Sequence, residues 1–114
     1  MSQLQVSARF TIHAGKLDEF KQVAARCMQS VREKDTGTLQ YDWFFNPDQT
    51  QFVVRETYRD SDAVFEHIAN LGDNFAALLA VADMEIEAFG TPSASLLEAT
   101  TWMSPRIYAP FLSI

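Results

Sequence analysis

Glu56 and His67 are the two side chains of this sequence best placed for proton transfer. Glu56 falls where its strand calls for an apolar residue, and His67 lies beside the apolar stripe of its helix. Glu56 lies in "TQFVVRETYR", between Val54 and Tyr58 on the same side of an alternating run. A carboxylate buried without a partner is costly, so Glu56 must be paired, protonated or hydrated. It can bond to a backbone group or a tyrosine hydroxyl and fix the core, or it can be the polar group of a concave apolar pocket. His67 flanks the stripe Val64, Ile68 and Leu71 in "DSDAVFEHIANL". A histidine there is either a packed structural residue or, with an intrinsic pKa near neutrality, a proton-transfer group. On facing elements the two would form an acid/base pair. Tyr41, Trp43 and Phe45 share one face of the preceding "TLQYDWFFN". They are either core or flat, rigid walls suited to a planar aromatic ligand.

The elements that must position these residues are well marked. "QLQVSARFTI" alternates, with Leu4, Val6, Ala8, Phe10 and Ile12 on one side, which predicts a half-buried strand. From Lys16 to Lys34, Leu17, Phe20, Val23, Ala24, Cys27, Met28 and Val31 recur at helical spacing, and Gly37 is expected to stop the helix. "TLQYDWFFN", the turn "NPDQ" and "TQFVVRETYR" form a hairpin. Asp60 or Ser61 caps a second helix, "GDN" interrupts it, and "FAALLAVAD" continues it. "MEIEAFG" is the fourth strand. The order β-α-β-β-α-β predicts an α+β, ferredoxin-like fold, one antiparallel sheet with two helices on one face. Residues 1–92 make this domain. Residues 93–114 are a C-terminal extension with a short helix over Ser93 to Thr100 and an extended tail. Its apolar residues are expected to pack on the domain or on a partner subunit.

Composition narrows the function. The 114 residues suit one domain, and 47% hydrophobic with 21% charged residues is ordinary for a globular protein. The net charge of −6 and the lack of clustered Lys and Arg argue against nucleic acid. No apolar run approaches the ~20 residues that span a bilayer, and no signal peptide stands out, so the cytoplasm is expected. The single cysteine, Cys27, fits a small buried hydrophobe, and no Cys/His spacing resembles a zinc site. The second sheet face mixes Arg9, Asp42, Arg55, Glu85 and Glu87 with Phe44 and Phe89. It is either solvated or the interface of a homodimer, and the two aromatics favour the dimer.

"FTIHAGKLDEF", "DTGTLQYDWF", "FVVRETYRDSDAVFEHI" and "MEIEAFG" resemble, in order, the antibiotic biosynthesis monooxygenase (ABM) domain family, over about residues 4 to 90. The pieces most alike are "GTLQY", the strand ending "ETY" and the helical His67. The resemblance implies a dimeric α+β barrel and, for some members, oxidation of a small aromatic quinol or phenol by molecular oxygen with no flavin, haem or metal. A base would remove a phenolic proton, and the anion would reduce oxygen directly. On that reading His67 or Glu56 assists proton transfer. Tyr41, Trp43 and Tyr58 shape the substrate site, and Asn70, one turn from His67, orients substrate. Where many members carry a second histidine before a phenylalanine, this chain has Asp73 and Asn74 before Phe75. Haem degradation, another activity in the family, is disfavoured because the first strand lacks the expected Asn. The alternatives are a non-enzymatic dimeric small-molecule-binding or stress-response domain, and an isomerase-like enzyme using the same acid/base pair.

Overall fold

A computed structural model describes residues 3–114. Leu4–Ile12 forms β1, Leu17–Lys34 α1, Thr38–Phe45 β2, Gln51–Tyr58 β3, Ser61–Leu71 α2, Asp73–Val81 α3 and Ala82–Phe89 β4. Ala94–Ala99 forms α4, Thr101–Met103 a single 3-10 turn, and Arg106–Tyr108 β5. The architecture is the expected ferredoxin-like α+β fold, but the sheet has five strands, in the order β2-β3-β1-β4-β5. The fifth comes from the tail. Three residues, "RIY", pair in parallel with β4, and Gly90 N–H donates to Tyr108 O. So short a strand gives no alternation to read.

β1 lies between β3 and β4 and buries Leu4, Ala8 and Phe10. α1 lays Phe20, Val23 and Cys27 on the sheet. Acidic Asp18 and Glu19 at its start and basic Arg32 and Lys34 at its end complement its dipole. The main core gathers Phe10, Phe20, Phe52, Leu78 and Val81, and a second cluster gathers Leu4, Tyr58, Ala63, Val64 and Leu96. Phe45 shares the face of Trp43 but, on the edge strand, stays largely exposed.

The end of α1 differs from expectation. The helix stops because Asp35 turns extended, its N–H still reaching Val31 O. Gly37 serves close packing instead: a Cβ there would stand 2.5 Å from the Ala63 Cβ of α2. Gly72 separates α2 from α3 with φ +52, a left-handed turn that suits glycine. α3 starts at Asp73 and β4 at Ala82, both two residues earlier than the apolar pattern suggests. Asp60, not Ser61, caps α2, accepting from Ala63 N–H. Ser61 instead accepts from Ser93 N–H and so ties the C-terminal segment to the domain.

On the second sheet face Arg9 pairs with Glu85 of its own chain at 3.0 Å, while Phe44 stays exposed and Phe89 stacks on Tyr108.

Candidate active site

A cavity of about 100 Å³ lies between the sheet and α2, α3 and the C-terminal segment. A single water needs only roughly 10–15 Å³, so the space exceeds a packing defect. Its walls are mostly aliphatic. The titratable side chains on them are Tyr41 from β2, Glu56 and Tyr58 from β3, and His67 from α2.

The sheet register explains the grouping. Tyr41 is directly opposite Glu56 across β2 and β3, and Glu56 is opposite Val6 of β1. Tyr58 follows Glu56 on the same side of β3 and donates its hydroxyl to Glu56 Oε1. The Tyr41 and Tyr58 rings pack on the His67 imidazole, with centroids 5.1 and 5.3 Å away. Glu56 and His67 do not bond to each other. Tyr58 links them, with its hydroxyl on one and its ring on the other.

Asp35 completes the group, and sequence reasoning passed over it. Its Oδ2 lies 2.8 Å from His67 Nδ1, and its Oδ1 accepts from Asn70 Nδ2 at 2.9 Å. Thr38 donates to Oδ2 at 2.6 Å. The Asp35 side chain is 1% exposed. It lies in the loop after α1, outside both periodic patterns; the one sequence cue is an acidic residue at a helix end, where the dipole disfavours it. The loop is read by one stripe of α2. Asp35 meets His67 and Asn70, Thr36 bonds Glu66, and Gly37 abuts Ala63.

The protonation states follow from these contacts. Burial pushes the Glu56 carboxyl up to about 7; the Tyr58 hydrogen bond opposes this, and the Asp35 charge adds to it. Burial also raises Asp35, but the bonds from Thr38, Asn70 and His67 together outweigh it and hold the carboxyl below its ordinary value. Burial lowers His67, and Asp35 offsets this only in part. The ring is therefore neutral at pH 7, with Nδ1–H donating to Asp35 and the Nε2 lone pair left for a proton. Burial, then the Glu56 charge, raises Tyr41 and Tyr58, so both stay protonated.

Two other singled-out residues lie elsewhere. Trp43 does not line the cavity. It stacks on Phe10 at 6.0 Å and meets Phe20 edge-on in the main core, its Nε1 buried without a partner. Asn70 does not line it either, because its amide is committed to Asp35. The extension does: Leu96, Leu97, Thr100, Met103 and Ile107 all face the space, as does Pro92 just before it. Among the described residues no three His, Cys, Asp or Glu side chains gather as a metal-ion site, and no helix is long and apolar enough to cross a membrane.

The fold is thus a mixed five-stranded sheet with helices on one face and a cavity between them that bears His67 and Glu56. The family model described as "Antibiotic biosynthesis monooxygenase" matches residues 4–78, and the chain belongs to that family. No curated protein matches the sequence. Among solved structures, MupZ from Pseudomonas fluorescens is similar with a TM-score of 0.86 and 22% identity, over 98% of this chain and 93% of that one. SnoaB, a cofactor-independent oxygenase from Streptomyces nogalater, is similar with a TM-score of 0.69 and 23% identity, over 82% and 97%. Rv0793 from Mycobacterium tuberculosis gives 0.70 and 18%, over 82% and 98%. At these identities the likeness is one of fold.

Proposed function

We propose that this protein is a cofactor-independent monooxygenase acting on a small phenol or quinol in the cavity beside His67. The carrying observation is the Asp35–His67 pair, which fixes the tautomer and leaves Nε2 as a base on an apolar cavity. His67 takes the phenolic proton and Asp35 stabilises the imidazolium that forms. The anion gives one electron to O2, and the two radicals join at a ring carbon to form a C–O bond. The imidazolium returns its proton to the peroxide, and the ring carbon then gives up its C–H hydrogen as a proton to His67 while the O–O bond breaks, one oxygen staying as a carbonyl and the other leaving as water. The substrate supplies all four electrons. Glu56, which titrates near neutrality, donates in its protonated form to the departing oxygen, and Tyr41 and Tyr58 border the reacting ring. Asn70 acts through Asp35 rather than on substrate. The likeness to SnoaB supports the reading at the level of fold.

The test is oxygen uptake by metal-stripped protein with a panel of quinols and polyphenols. His67→Ala should lower turnover by ~100-fold or more. Uptake equal in wild type and variant would remove His67 from the chemistry.

The aliphatic walls favour a second reading, a redox-neutral isomerisation by the same acid and base. Product formation without oxygen uptake would select it. Stabilisation by ligand with no turnover would select a binding domain. The proposed assembly is a cytoplasmic homodimer through the sheet face bearing Phe44, so Phe44→Glu should halve the mass measured by light scattering.

A further inference from the structure

The cavity is polar at one end only. Its floor can be followed across the sheet from the register, as Glu56, Val6, Ala88 and Ile107 stand side by side on β3, β1, β4 and β5. Three interstrand steps separate the first from the last, ~14 Å at the usual strand spacing. After Glu56 the row is wholly apolar. Above it, α2 supplies Val64, Ile68 and Leu71, and the C-terminal segment supplies Leu96, Leu97 and Met103. Thr100 is the one hydroxyl on that segment facing the space, and it donates to Leu96 O at 2.7 Å, within its own helix end. Among the described residues no Lys or Arg lines the cavity. An anionic substrate would face Glu56, and Asp35 behind His67, without a cation, and burying such a charge is costly.

We infer that the substrate carries an uncharged hydroxyl-bearing end, seated at the end of the cavity that bears Glu56 and His67, and an aliphatic arm laid across β1 and β4 toward β5, and that residues 92–107 select the arm. This rests on the cavity being the active site and adds the substrate's shape. The selecting segment lies beyond the part of the chain the family model matches. The SnoaB structure, matched over 97% of its own length, covers 82% of this chain, whereas the MupZ structure covers 98%. The C-terminal part of the roof thus lies outside the stretch that the family model matches.

The experiment is calorimetric titration of the full chain at pH 7.5 with phenol, 4-butylphenol, 4-octylphenol and 4-octylbenzoate. Each methylene buried under the roof should tighten binding about three- to fourfold, until the arm reaches the end of the space. 4-Octylbenzoate should bind at least tenfold more weakly than 4-octylphenol. Leu96→Phe, which fills the roof, should cost 4-octylphenol at least tenfold more than it costs phenol. Met103→Phe, on the less buried turn, makes the same test if Leu96→Phe does not fold. Affinity independent of chain length overturns the arm. Equal binding of the benzoate overturns the uncharged end. A chain-length gain unchanged in both variants places the arm elsewhere and overturns the selecting role. If phenol binding is absent, or indifferent to both His67→Ala and Glu56→Gln, the active-site reading fails with it. Phenol binding that responds to those changes without a chain-length gain sinks only the inference.

Discussion

Replacing Glu56 by glutamine should stabilise the protein above neutral pH while disabling its chemistry. The carboxyl is 9% exposed and shares a hydrogen bond with Tyr58. Gln Oε1 can accept the same hydroxyl, so the variant keeps the shape and loses the charge. Burial lifts the native carboxyl from 4.5 to about 7. Between those values the native state holds a proton that the unfolded state has released. Stability is therefore full below pH 4.5 and is lost as pH rises through about 7. The gap between 4.5 and about 7, at roughly 1.4 kcal/mol per pH unit, comes to about 3 kcal/mol. Glutamine carries no such proton, so the variant should gain on wild type by about that amount between acid and pH 8. Urea unfolding followed by circular dichroism from pH 4.5 to 8 reads it directly. With a slope of ~1–3 kcal/mol per molar urea, the midpoints should separate by ~1–3 M more at pH 8 than at pH 4.5. Parallel stability curves over that range would refute the reasoning. So would a variant less stable than wild type at pH 8, which would mean that the native carboxylate is ionised and well paired.

Asp35→Asn removes the charge that partly offsets burial at His67, so the imidazole pKa should fall further. Turnover should drop, and the acid limb of the kcat/KM profile should move to lower pH; an unmoved limb would show that Asp35 only supports the loop. Gly37→Ala places a Cβ 2.5 Å from that of Ala63 and should cost ~1–3 kcal/mol in urea unfolding, partly restored by Ala63→Gly. Burial pushes the Cys27 thiol up to about 11. Its reaction with a thiol reagent at pH 8 should therefore track global unfolding with added urea, and rapid labelling of the native protein would contradict the packing.

Much of the fold could be read because its signals are local. Alternation at Leu4 to Ile12 and helical spacing from Leu17 to Val31 each lie within one element. Glu56 could be singled out because it interrupts such a pattern. Asp35 could not, since its importance comes from His67, 32 residues away, which only the folded loop brings near. Trp43 shows the converse. Its side of the strand could be read, but its neighbours could not: Phe10 and Phe20 cover it, and the space opens one pair further along, at Tyr41. β5 was hidden because pairing, not pattern, makes it a strand.

The stripe of α2 that meets the loop after α1 acts as a ruler of chain length. Asp35, Thr36 and Gly37 each have a partner on that helix, and the loop has no residue left over. An insertion or deletion there would shift at least one of the three off its partner. Point substitutions across this loop and single-residue changes in its length should therefore behave very differently in a mutational library. A one-residue insertion before Asp35 would leave the side chains on the cavity unchanged and still draw the carboxylate away from His67.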